Sequence, residues 1–156
     1  MSEDDSLKNS KFILWAGHFV VTHTSKFWHI YRFKEGYDSV TKTVKMNIEH
    51  IISFPLEKKI VGLAASDNDF FLAFNNEGIR KYTHIYGYGI SNTRFKEDET
   101  FFINSSRLGK LNINSISYGS AVEMRAIYAT TGDDKIYRFS EADGTPDYII
   151  MPTKVD

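Results

Sequence analysis

The chain has 156 residues, 42% of them apolar and 25% charged, with a formal net charge of −1 and no cysteine. This is ordinary globular composition at the length of one domain. It excludes disulfides and thiolate metal sites, and its near-neutral charge argues against a dedicated nucleic-acid binder.

Residues 1–10, MSEDDSLKNS, are polar and aperiodic and are expected to form a disordered tail ahead of a single domain over 11–156. Their acidic start lacks the basic-then-apolar order of a secretory signal. The longest apolar runs, FILWAGHFVV and FFLAF, fall short of a membrane span. A cytoplasmic or nuclear protein with no membrane contact is the expectation. Twelve Phe and nine Tyr then favour half-buried pleated surfaces, hence β-structure.

Strand-like runs follow closely. FILWA (12–16) leads through Gly17 into HFVVTHT (18–24), and KFWHIYRF (26–33) alternates, with Phe27, His29, Tyr31 and Phe33 on one face and Trp28, Ile30 and Arg32 on the other. KEGYDS (34–39) reads as a turn and VTKTVKM (40–46) as an edge-like strand with a charged outer face. NIEHII (47–52) is the one helical candidate, about a single turn, since Pro55 follows. A second unit holds KKIVGLAAS (58–66), the Asx turn SDND, and DFFLAFN (69–75), a run compatible with burial on both faces. NNEG (75–78) is a hairpin signal in which Gly78 supplies a positive φ, and IRKYTHIY (79–86) leaves it. Residues 91–110 read as a loop flanking a strand at TFFIN. A third unit holds NSISYGS (114–120), EMRAIYATT (123–131), the turn TGDD, KIYRF (135–139), the turn SEADG and DYIIM (147–151).

These units superimpose. HFVVTHT, DFFLAFN and RAIYATT take the same place, each followed by a polar turn and an aromatic strand, and Tyr31, Tyr82 and Tyr137 recur about every fifty residues. The tyrosine phrase is expected to be the third strand of a repeated sheet. The second unit, KKIVGLAASDNDFFLAFNNEGIRKYTHIYGYG, resembles a β-propeller blade and is similar in cadence to kelch-type and chromosome-condensation-regulator repeats. The first unit follows the same cadence, and the third follows it less closely. The glycine pair and closing WG of condensation-regulator repeats are missing, as is the WD of WD-repeat blades, so the resemblance implies architecture and no functional residue. The expected fold is all-β, three antiparallel propeller-blade-like repeats, with a β-barrel or β-sandwich as the alternative.

No chemical motif stands out. His18 and His23 fall on opposite faces of one strand, and His23 with His29 lacks a third ligand nearby in sequence, so neither a metal nor a cofactor is expected. The acidic turns suit Asx chemistry better than a calcium loop. ISYGSA lacks the strand–Ser–helix context of a nucleophile elbow, and GYGIS (87–91) lacks the helix a phosphate cradle needs. Lys26, Arg32 and Lys34 lie among aromatics in KFWHIYRFK as in single-strand platforms, but Glu35 and Asp38 oppose that use.

Three blades fall short of the four to eight of a closed propeller. The leading expectation is therefore a non-enzymatic interaction module, a docking surface or subunit whose open array is completed by a protein partner or by self-association. Trp15, Phe27 and Trp28 are the candidate anchors, because exposed large aromatics carry interfaces. The alternative is a lectin-like propeller using Arg32, Arg80 and Arg138 beside the repeated tyrosines. A second alternative is a small enzyme with a cleft between repeats, drawing on His23, His29 or Asp133.

Overall fold

A computed structural model of the chain describes residues 11–66, 69–75, 77–85, 94–104, 113–119, 125–132 and 135–150. The expected tail at 1–10, the GYGIS loop, Asp67, Asn68 and Asp133 lie outside the described residues. Among those described there is no helix. Twelve strands form three four-stranded antiparallel sheets in chain order. The first sheet holds β1 (Lys11–Ala16), β2 (Phe19–His23), β3 (Phe27–Asp38) and β4 (Thr43–Pro55). The middle sheet holds β5 (Ile60–Ala65), β6 (Asp69–Phe74), β7 (Gly78–Ile85) and β8 (Arg94–Glu97). The third holds β9 (Ile113–Gly119), β10 (Ala126–Thr131), β11 (Ile136–Ser140) and β12 (Pro146–Ile150). In each sheet, strands adjacent in sequence are adjacent in space, so every blade is built from local hairpins.

Turn chemistry accounts for two hairpins of the middle sheet. Gly78 has φ +95° and closes the β6–β7 turn, and a Cβ at that position would stand 1.6 Å from the Ile103 carbonyl oxygen. Ser66 closes the β5–β6 turn by accepting from the Asp69 amide at 3.1 Å.

Three expected elements differ. NIEHII is strand, not helix: β4 pairs with β3 from Phe27↔Pro55 to Asp38↔Thr43, and six residues of weak helical pattern cannot outweigh a continuous ladder. KEGYDS also lies within that ladder, since Gly36 pairs with Lys45. The reversal falls later, at Ser39–Lys42, so the strand expected from residue 40 starts at Thr43. There Asp38 accepts from the Val40 and Thr41 amides at 2.9 and 3.3 Å, and Lys42 takes φ +55°. TFFIN forms one bridge, Ile79↔Ile103, while the fourth strand is Arg94–Glu97, inside the stretch read as a loop. Phe101 and Ile103 instead point into the core.

The sheets stack face to face around two apolar cores. Between the first and middle sheets lie Phe19, Val21, Trp28 and Ile30 against Phe70, Leu72, Phe74 and Tyr82. Between the middle and third lie Phe71, Ala73 and Ile79 against Ile127, Ala129, Tyr137 and Phe139. Alternation along β6 thus sends Phe70 to one core and Phe71 to the other, and both are 0% exposed. Burying one such side chain contributes about 1.5–3 kcal/mol. Small residues in the first strands let the blades converge: a Cβ on Gly62 would sit 2.9 Å from Ile116 of the third sheet. Farther out, Lys81 is 8% exposed. Its ammonium pairs with Asp69 at 3.8 Å, donates to the Glu141 carbonyl at 3.3 Å and covers the Phe71 ring, tying the middle sheet to the third. Burial pushes the Asp69 carboxyl above its ordinary value.

The register tests the repeat residue by residue. Tyr31 pairs with Val20 and Tyr82 with Phe70, in each case the second residue of the second strand. In the third sheet that place belongs to Phe139, opposite Ile127, whereas Tyr137 pairs with Ala129 two residues away. Two of the three tyrosines are therefore equivalent. The matching string IYRF stands two residues out of register in the third sheet, where four residues separate β10 from β11 against three between β2 and β3 and between β6 and β7.

Candidate functional site

The equivalence just described assigns a direction to each sheet. The face that carries Phe70 and Tyr82 in the middle sheet is covered by the first sheet, and the face that carries Ile127 and Phe139 in the third is covered by the middle one. The corresponding face of the first sheet carries Val20 and Tyr31 and has no sheet over it among the described residues.

Cross-strand pairing lays this open face out in rows. One runs Trp15, Val20, Tyr31, His50; a second includes Thr22, His29 and Ser53; a third joins Phe27 to Pro55. Trp15 is 70% exposed and Phe27 45%. The Trp15 indole donates to the Gly17 carbonyl at 2.8 Å, which holds the ring at the rim of the sheet. Beyond the body of the sheet the β3–β4 ribbon continues as an arm, on which Tyr37 pairs with Val44 and Glu35 with Met46. By alternation these residues share the face of Tyr31, and Tyr37, Val44 and Met46 are all exposed. Val20, Thr22 and Tyr31 in the body of the sheet are buried, so the exposed apolar groups of this face are Trp15 and Phe27 at the rim and Tyr37, Val44 and Met46 on the arm.

Polar groups gather at the centre of the face. His29 Nδ1 and His50 Nε2 each lie 2.7 Å from Ser53 Oγ and 3.4 Å from one another. The Tyr31 ring stands against both imidazoles, at 6.1 and 5.3 Å. Burial, and then the neighbouring His50, hold the His29 imidazole below its ordinary value.

The residues singled out from sequence separate on this map. Trp15 and Phe27 are on the open face. Trp28 is not: it is 8% exposed, packed between the first and middle sheets with its indole donating to the Leu56 carbonyl at 3.4 Å. Alternation along β3 sets it opposite Phe27, on the face that packs against the middle sheet. Arg32, Arg80 and Arg138 pair with Phe19, Leu72 and Tyr128, the first, fourth and third positions of their partner strands, so they form no repeated site. Arg32 lies over the Phe19 and Phe95 rings at 6.0 and 5.9 Å, and Arg138 is 7% exposed. Arg80 borders a cleft of about 320 Å³ between the first two sheets, with Phe54, Phe74, Tyr82 and Glu97. Its 3.7 Å pairing with Glu97 is half in water and weak. His23 is bound to the Thr24 carbonyl at 3.0 Å and packs on Trp28, on the face opposite His29, so the two do not meet. The partner that His29 does meet, His50, sits in the segment read as helix, and no short-range pattern links positions 21 residues apart.

No protein-family model and no curated protein matches the sequence. Among solved structures, the chain is similar to the β-propeller domain of Myceliophteria thermophila Cps50 (Swd1), with 14% identity and a TM-score of 0.54. The likeness covers 97% of this chain and 45% of that one, so the chain spans a little under half the length of the domain it matches. At that identity the likeness concerns the fold: three antiparallel sheets stacked as in a propeller, with the ring not closed.

Proposed function

We propose that the chain is a non-enzymatic protein-interaction module that works by laying the open face of its first sheet on a further blade. The observation that supports this is a contrast between equivalent faces. In the middle and third sheets the face is buried beneath the preceding sheet; in the first no described sheet lies over it, and although Val20, Thr22 and Tyr31 at its centre are buried, Trp15 and Phe27 at its rim are exposed to 70% and 45%. A covering blade must present the opposite type of face, the one the first and middle sheets turn toward their successors. The third sheet carries such a face, with Tyr128, Thr130 and Ser115 upon it, and no described sheet covers it. One copy of the chain thus holds both halves of a blade-to-blade contact. The occupant we assign is a second copy, joined twice about a two-fold axis. Six blades result, within the four to eight of closed propellers.

The test is light scattering on purified protein across a concentration series. The expected mass is that of two chains, falling to one when Trp15→Ser and Phe27→Ser are combined, with the β-sheet circular dichroism unchanged. Arg80→Ala, away from the open face, should leave the mass at two chains. A chain that stays monomeric up to hundreds of micromolar overturns the assignment.

A further inference from the structure

The cluster at the centre of the open face has the dimensions of a metal site. We propose that His29 Nδ1 and His50 Nε2 bind a zinc ion in place of the Ser53 hydroxyl that now bridges them. Two nitrogens on a tetrahedral zinc, each at about 2.0–2.1 Å, stand about 3.3–3.4 Å apart. The two imidazole nitrogens here stand 3.4 Å apart. An octahedral ion with bonds of that length would draw adjacent ligands to about 2.9 Å, which the present spacing does not match. Both nitrogens already converge, since each hydrogen-bonds the same oxygen at 2.7 Å.

Sheet geometry makes the convergence rigid. His29 is fixed on β3 between the Thr22 and Ser53 positions, and His50 on β4 opposite Tyr31, beyond the register shift at Ile30/Tyr31. That shift brings His50 beside His29, although Ser53 is the direct partner of His29. Tyr31 packs on both rings and limits their rotation. Each imidazole binds a metal in its neutral form, keeping its proton on the other nitrogen. Ser53 is exposed, so its hydroxyl can swing away at little cost. Among the described residues no third histidine, cysteine or carboxylate joins the pair, so the two remaining positions of the tetrahedron go to water in the isolated chain. Both imidazoles keep part of their surface in solvent, which gives the ion a way in.

The test is zinc chloride competed against a chromophoric chelator at pH 7.5, using the full chain without an affinity tag. About one zinc per chain is expected. His29→Ala and His50→Ala should each abolish binding, and His23→Ala should not change it. Ser53→Ala is the discriminating variant. If the hydroxyl competes with the ion, its removal leaves zinc binding equal or tighter. Loss of binding in Ser53→Ala overturns the two-imidazole site, and so does an unchanged affinity in His50→Ala. Where a histidine variant fails to fold, imidazole nitrogen shifts in the unaltered chain decide. Zinc must move His29 Nδ1 and His50 Nε2 and leave His23 in place; shifts confined to other histidines overturn the proposal. Because the cluster lies on the face assigned to the second copy, the titration is also run on the Trp15→Ser, Phe27→Ser chain: zinc bound there but refused by the unaltered chain shows the site intact beneath the second copy, and no uptake in either at 100 micromolar zinc overturns it.

Discussion

Asp38 shows how one side chain places a turn that composition alone misplaces. The string KEGYDS contains Gly36, the usual sign of a reversal, yet Gly36 is paired in the ladder and the chain reverses three residues later. The cause is the Asp38 carboxylate, which accepts from two successive amides and so favours the bend at 39–42. Those same bonds hold its carboxyl below its ordinary 3.8, with the Val40 amide the largest cause. A depressed carboxylate contributes stability that is present above 3.8 and lost as pH falls through the folded value. Wild type and Asp38→Ala should therefore differ in melting temperature at pH 6 and converge toward pH 3. A gap of constant size across that range would mean that the turn does not depend on the ionised group.

At the scale of elements, the middle blade depends on a close backbone approach. Gly78 opens β7, and Ile79 exchanges hydrogen bonds with Ile103 at 2.8 and 3.2 Å, which brings the segment after β8 back onto the sheet and carries Phe101 and Ile103 into the core. Alanine at 78 meets two obstacles: a left-handed φ that costs about 1–2 kcal/mol, and the Ile103 carbonyl in the space its Cβ needs. With the exchange of bonds disturbed, Gly78→Ala should lower stability by about 3 kcal/mol in urea unfolding. Asn76 lies outside the described residues; at Asn75, which is exposed, the same change should stay within about 0.5 kcal/mol.

For the whole molecule, the middle sheet belongs to both cores, and each end sheet belongs to one. Stability in such stacked arrays is close to a sum of blade and interface terms. Phe70 and Phe71 are neighbours in sequence but serve different interfaces. Each replacement by alanine should cost about 3–5 kcal/mol. Hydrogen exchange should separate them: Phe70→Ala is expected to speed exchange mainly in β1–β4, and Phe71→Ala mainly in β9–β12. Equal loss of protection in both end sheets would show that the three blades open as one unit.

The sequence by itself determined the all-β class, the three repeats, the hairpins and the doubly buried run DFFLAF, because each rests on contacts within a few residues: alternation, Asx chemistry and a glycine at positive φ. That Phe27 and Trp28 face opposite ways is legible on the same grounds, since a strand has only two faces. Which of the two faces packs against the next sheet is not local information, so the sequence does not separate Trp28 from Phe27 as an anchor. NIEHII became a strand because a partner ladder outweighs six residues of local preference, and that partner lies up to 22 residues away, Ile52 opposite Ile30. The meeting of His29 with His50, the equivalence of Phe139 with Tyr31 and Tyr82, and the scattering of Arg32, Arg80 and Arg138 all depend on register. Register is a long-range quantity, set by loop lengths and by register shifts such as the one at Ile30/Tyr31, and only the assembled sheets decide it.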